Sequence, residues 1–184
     1  YTRDVSMTRA LYSLVLWLLQ PLLRMRLRLR ARAEPLYGER EGERFGHYGD
    51  VPSASVALAG STDFYVWVHA VSLGETRAAQ ALVNRLRDSL PGMRLLLTHG
   101  TATGRAMGQA LLQPGDVQVW QPWDTPGAVK RFLAHFQPRV GLLVETEVWP
   151  NMVAACAQAR MPLCLVNARF SAKSLRQSQR LAWL

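Results

Sequence analysis

Residues 65–90 read YVWVHAVSLGETRAAQALVNRLRDSL. The first eight, Tyr65–Ser72, are apolar and rich in Val and aromatic side chains, the composition of a buried strand. Ser72 and Glu75 then stand three apart, the spacing of a capping box that opens a helix. From Glu75 to Leu90 the apolar residues Ala78, Ala79, Leu82, Val83, Leu86 and Leu90 recur at three- and four-residue steps with polar residues opposite, and Pro91-Gly92 closes the pattern. Strand, tight turn and helix in this order make half of a βαβ unit.

The same alternation continues outward. Strands are expected at Arg94–Thr98, Val117–Gln121, Val140–Glu145 and Leu163–Asn167. Helices are expected at Thr103–Leu112, Pro126–Phe136, Pro150–Arg160 and Ser171–Leu184. Strands at this spacing, each followed by a helix, predict an α/β domain with a Rossmann-like parallel sheet over residues 63–184. In such a sheet every strand-to-helix turn lies at the carboxyl edge, where ligands bind. Two of those turns carry glutamates: His69-Ala-Val-Ser72-Leu-Gly74-Glu75, and Val144-Glu145-Thr146-Glu147-Val-Trp149-Pro150. One acidic site assembled from distant sequence is therefore expected.

Each candidate residue has a second reading. Glu75 fits the capping box alone, or a general base toward a substrate hydroxyl, with Gly74 letting a ligand approach the backbone. Glu145 and Glu147 share a face only if the strand runs through both. Thr98-His-Gly-Thr-Ala-Thr-Gly104 is similar to an anion cradle at a helix start, but matches neither a dinucleotide fingerprint nor a P-loop. His69 and His99 suit strand packing. Cys156 and Cys164 have no metal-ligand spacing and read as reduced core thiols.

The formal charge is +9, yet residues 1–32 hold seven of the 22 basic residues against one Asp. The remainder carries only +3, which argues against nucleic acid as a partner. Ala10–Leu23 is almost wholly apolar, would reach about 21 Å as a helix, and contains Pro21, expected to kink or stop it. Arg24, Arg26, Arg28, Arg30 and Arg32 follow, an arrangement that attracts an anionic membrane surface. Residues 1–32 thus read as a membrane-associating helix with its basic segment, spanning or interfacial; a helix packed on the domain is the alternative. Residues 33–62 read as an irregular linker with aromatic anchors. The start at Tyr1 and the end inside a helical pattern are expected of a piece of a longer protein.

The ordered set His69, Ser72, Gly74, Glu75, Thr76; Thr98, Thr101, Thr103, Gly104; Pro122, Asp124, Pro126; Glu145-Thr-Glu147, Trp149-Pro150-Asn151; and Asn167-Ala-Arg169 with Ser171, Lys173 and Ser174 resembles the N-terminal half of 3-deoxy-D-manno-octulosonic acid (Kdo) transferases of lipopolysaccharide inner-core synthesis. Arg40 and Arg44-Phe45-Gly46 extend the resemblance. Trp123, His99-Gly100 and Lys173 depart from the family's frequent residues. The resemblance implies the first of two Rossmann-like domains of an inverting GT-B glycosyltransferase, at the cytoplasmic face of the bacterial inner membrane. This domain would bind the lipid A precursor, and a second, absent from this chain, the CMP-Kdo donor. It implies no bound metal or cofactor. Glu75 would be the general base and Glu145 would stabilise the transition state, with Ser72, Gly74, Thr101, Thr103 and Arg169 as acceptor-binding candidates. A non-catalytic membrane-binding module and another GT-B enzyme of lipid glycosylation are the alternative readings.

Overall fold

The computed structural model describes residues 2–145 and 149–168. The expected helix at 171–184, Arg169, Lys173, Ser174 and Glu147 lie outside the described residues. Five strands form one sheet: β1 (Phe64–His69), β2 (Met93–His99), β3 (Val117–Trp120), β4 (Val140–Val144) and β5 (Leu163–Val166). Their order is β3-β2-β1-β4-β5 and all four pairings are parallel.

Every expected strand in the described residues is present. β1 stops at His69 rather than Ser72 because the ladder is diverted there. The Val71 carbonyl, instead of bonding a neighbouring strand, accepts from the Gly100 and Thr101 N–H groups of the next turn, at 3.2 and 3.0 Å.

The connecting helices are α3 (Leu73–Ser89), α4 (Ala102–Gly108), α5 (Pro126–Phe136) and α6 (Pro150–Gln158). The helix expected over Thr103–Leu112 is split: α4 ends at Gly108 and a 3-10 turn, Gln109–Leu111, finishes it. Gly108 explains the close packing there, since a Cβ on it would meet His99 Nε2 and Gln118 Nε2. Side chains alternate across the sheet. Val66, Val68, Leu95, Leu97, Leu142 and Val144 pack against Ala79 and Val83 of α3. Tyr65, Trp67, Leu96, Val119 and Leu143 face Val129, Phe132 and Phe136 of α5 and Met152 and Cys156 of α6. Cys156 is thus a core thiol, as expected. Cys164 is exposed on edge strand β5, which corrects its assignment to the core.

A single helix, α1 (Thr2–Ala33), continues through Pro21. The expected stop does not occur. Pro21 removes the N–H that would bond the Trp17 carbonyl, but Trp17 is exposed, so that carbonyl can turn to water. No helix among the described residues is long and apolar enough to cross a membrane.

Residues 33–62 hold two 3-10 turns, Pro35–Gly38 and Glu41–Phe45, and a short helix, α2 (Ala54–Ala57). The aromatic anchors are real: Tyr37 and Tyr48 are buried. Glu43 is buried with them. Its Oε2 accepts from Arg105 Nη1 at 2.8 Å and from the Trp120 N–H at 2.7 Å. That N–H lies on the free edge of β3, so the segment blunts an edge strand.

Candidate functional site

β1 lies between β2 and β4, so the chain winds outward from β1 in one direction, through β2 and β3, and then in the other, through β4 and β5. The carboxyl ends of β1 and β4 therefore bound the topological switch point, the crevice where doubly wound sheets bind ligands. The turn carrying Glu75 follows β1, and Glu145 follows β4. The register sets His69 opposite Leu143, so both carboxylate turns leave the sheet side by side.

Ser72 caps α3, its hydroxyl oxygen accepting from the Glu75 N–H at 3.4 Å. The Glu75 carboxylate returns the contact. Its Oε1 accepts from the Ser72 hydroxyl at 2.9 Å, and its Oε2 from the Val71 N–H at 2.7 Å. The capping box is present in a variant form, reaching one residue further back than the cap itself. The carboxylate is half-buried with both oxygens oriented. A carboxylate oxygen offers two lone-pair sites, so each keeps capacity for a substrate hydroxyl. Gly74, next to it, is exposed. A Cβ there would meet only Ser72 Oγ, at 3.9 Å, so the fold itself does not demand glycine at this position.

The β2–α4 turn is welded onto this one. The Val71 carbonyl accepts from Gly100 N, Thr101 N and the Thr101 hydroxyl, the last at 2.9 Å. Thr101 Oγ1 also caps α4, accepting from the Gly104 N–H at 3.1 Å. The turn therefore spends these donors on protein, and its cradle-like composition serves turn-to-turn docking. Thr101 is half-buried within the weld, and Thr103 is exposed beside it. Gly104 is required by the weld, because its Cβ would meet the Val71 carbonyl at 2.8 Å.

Glu145 has φ +68°, a left-handed conformation sparsely used by residues with a side chain. The strand ends at Val144, just before Glu145. The Glu145 N–H donates to the Val166 carbonyl at 2.9 Å, which holds the turn against β5, and Asn167 just beyond β5 is also left-handed, at +52°.

Below the turns lie two neutral histidines. His69 is wholly buried, its Nδ1 2.9 Å from the Thr98 hydroxyl, while Trp67 Nε1 donates to that same oxygen at 2.8 Å. Burial, reinforced by His99, holds His69 down at about 3. His99 is also buried, with Nδ1 2.8 Å from the Ala70 carbonyl, and burial holds it at about 4. Neither is a proton carrier at neutral pH; both brace the two turns from beneath. Among the described residues no group of three or more His, Cys, Asp or Glu side chains is placed to share a metal ion.

Sequence reasoning singled out Asp124 and Asn151 without assigning them work. The Asp124 carboxylate accepts from the Asn151 and Met152 N–H groups, at 2.9 and 2.8 Å, and so caps α6 from a distant turn. Burial pushes this carboxyl up, opposed by those two N–H groups. Tyr12 of α1 hydrogen-bonds the same carboxylate, and Ser13 bonds Asn151. The N-terminal helix is thereby latched to the carboxyl edge of the sheet. The signal in the sequence is the polar pair Tyr12-Ser13 inside an apolar run, on the helix face opposite Leu11 and Leu18.

The family profile described as 3-deoxy-D-manno-octulosonic-acid transferase (kdotransferase) matches residues 39–184. The chain is 48% identical over 184 residues to 3-deoxy-D-manno-octulosonic acid transferase of Bordetella pertussis, covering 97% of this chain and 40% of that protein. It is 35% identical to the probable 3-deoxy-D-manno-octulosonic acid transferase, mitochondrial, of Arabidopsis thaliana, over 91% of this chain and 36% of that one. It is 31% identical to the Haemophilus influenzae 3-deoxy-D-manno-octulosonic acid transferase, over 91% and 38%. The chain thus spans about two fifths of the length of these curated relatives.

Proposed function

The chain belongs to the 3-deoxy-D-manno-octulosonic-acid (Kdo) transferase family, and on that premise we propose that it is the acceptor-side half of an inverting GT-B glycosyltransferase. The enzyme moves Kdo from CMP-Kdo to the lipid A precursor at the cytoplasmic face of a bacterial inner membrane. The donor is bound by the part of such a protein beyond the matched span, and the chemistry needs no bound metal.

The observation that carries the site assignment is Glu75. An oriented, half-buried carboxylate at the switch point stands beside the open space over Gly74. In the reaction the acceptor hydroxyl gives its proton to a Glu75 oxygen as its own oxygen bonds to the anomeric carbon of Kdo. The bond from that carbon to the CMP phosphate oxygen breaks, and its electron pair leaves with CMP. Attack from the face opposite the leaving group inverts the centre. Positive charge develops on the anomeric carbon, and Glu145, from the neighbouring strand end, stabilises it electrostatically. Ser72 orients Glu75 through its 2.9 Å hydrogen bond. Gly74, Thr101, Thr103 and Arg169 are assigned to the acceptor.

The helix α1 supports delivery to the membrane. Met7, Leu11, Leu14, Leu18, Leu22, Met25 and Leu29 fall on one stripe at helical spacing, and all are 52–71% exposed. A stripe of this size left in water is a membrane or partner surface. Assay of the full-length enzyme with the lipid A precursor tests the reading. CMP-Kdo is expected to yield Kdo-modified acceptor and free CMP. Equal transfer from another sugar nucleotide, with none from CMP-Kdo, overturns it.

A further inference from the structure

The apolar stripe of α1 is bordered on one side by a basic groove, apart from the residues assigned to transfer. The groove, about 410 Å³, lies between α1 and the Glu41–Phe45 turn and is lined by Arg24, Arg28, Phe45, His47, Arg131 and Glu41. Three guanidinium groups face one carboxylate. Two of them are positioned by Phe45: Arg24 lies over its ring, 3.9 Å from the centroid, and Arg131 donates to its carbonyl from Nε at 3.1 Å and Nη2 at 2.6 Å. A guanidinium stacked on a ring keeps its in-plane donors free for an anion.

The placement of this charge names the ligand. Arg24 and Arg28 lie about 80–120° round the helix from the exposed stripe, at 100° per residue. They flank Leu22, Met25 and Leu29, all exposed. The opposite face of α1 is held to the domain at two places. Tyr12 and Ser13 are latched to Asp124 and Asn151, and Leu27 and Ala31 pack on the Tyr37–Trp120 cluster. A helix held on its domain at both Tyr12–Ser13 and Leu27–Ala31 meets a bilayer lying in the interface, not across it. With the stripe at acyl-chain depth, the groove stands at headgroup depth.

We propose that the groove between α1 and the Glu41–Phe45 turn binds the phosphate of an anionic phospholipid headgroup from the bilayer into which the apolar stripe settles. The proposal rests on the membrane reading of α1 and adds a specific headgroup site to it. Arg131 matters most for the test. It lies on α5, off the membrane helix, and Lys130 beside it is a charge-matched control that lines a different groove.

The full chain is tested by flotation with vesicles of phosphatidylcholine alone and of phosphatidylcholine mixed with phosphatidylglycerol. Arg131→Gln is expected to weaken binding to the mixed vesicles about fivefold, the effect of one arginine at a headgroup. Lys130→Gln is expected to change it less than twofold, and Arg131→Lys to restore most of the loss. Equal losses from the Arg131 and Lys130 substitutions, or none from either, overturn the headgroup site and leave the membrane reading standing. The double substitution Leu18→Glu and Leu22→Glu is expected to abolish flotation with both vesicles. Unchanged flotation of that variant would sink the membrane reading itself. Inorganic phosphate at millimolar concentration is expected not to displace the chain from mixed vesicles beyond the effect of equal ionic strength of chloride. Displacement beyond that control would make free phosphate the ligand and overturn the lipid assignment. Matching thermal melts for Arg131→Gln and the parent separate lost binding from lost fold.

Discussion

At Gly74 an added Cβ has open space, whereas at Gly104 it would strike the Val71 carbonyl at 2.8 Å and Thr101 Oγ1 at 3.0 Å. The two glycines therefore answer to different demands. Gly74→Ala, in the first turn of α3, is expected to leave stability unchanged or raise it by about 0.5–1 kcal/mol, since alanine suits a helix better. It is expected to lower use of the lipid acceptor, because a methyl group then occupies the space beside Glu75. Gly104→Ala is expected to cost about 1–3 kcal/mol by pushing the two turns apart. Denaturant titration beside a transfer assay of the full-length enzyme separates them; a large stability loss at Gly74 would refute the distinction. The Ser72–Glu75 relation was legible in the sequence because a capping box is local. The bond from Val71 N–H to Glu75 was not, because it depends on how the chain leaves β1. The work of Asp124 was illegible for a related reason. Its partners, Asn151 and Met152, belong to another crossover, and no local spacing announces a cap supplied from a distant turn.

The elements were legible where periodicity is strong. α5 falls at its expected bounds, and the strands differ only at their ends. The failures have physical causes. Pro21 suggested a break, but a surface helix can lose one hydrogen bond to water. The helix after β2 is broken at Gly108, where His99 and Gln118 crowd the backbone. Residues 33–62 showed their aromatic anchors but not the buried contact of Glu43 with Arg105. That contact joins the segment to α4 and β3. At this scale the link between α1 and α6 is the testable feature. Asp124→Ala removes the acceptor for two α6 N–H groups and the partner of Tyr12, so a loss of about 1–3 kcal/mol is expected. Tyr12→Phe keeps the α6 cap and is expected to cost less. Equal losses from the two, measured by chemical denaturation, would contradict the view that Asp124 acts mainly through α6.

For the whole molecule, the parallel sheet and its carboxyl edge followed from the alternation of strand and helix patterns. The strand order did not, because pairing is long-range. That order places the Glu75 and Glu145 turns together at the switch point. It also seals His69 and His99 beneath them. Both histidines are held well below the ordinary value of 6.5, at about 3 and about 4. The unfolded chain takes up their protons as pH falls through about 6.5, whereas the folded chain does so only near those lower values. Their stability contribution is thus complete above about pH 7 and is lost as pH falls from there toward 4. A loss on the order of 2–4 kcal/mol between pH 7 and pH 5 is expected, read by guanidinium denaturation at the two values. A flat profile would mean that the histidines are accessible to protons in the folded state.

The central claim is that Glu75 accepts the acceptor proton rather than merely capping α3. Single-turnover transfer by the full-length enzyme carrying Glu75→Gln tests it most directly, because glutamine keeps the size and part of the capping hydrogen bonding while removing the base. The account predicts a fall in transfer rate of about 10²–10⁴-fold with a melting temperature close to the parent's. Near-normal transfer by Glu75→Gln, or a loss of activity that only follows a loss of folded protein, would contradict it.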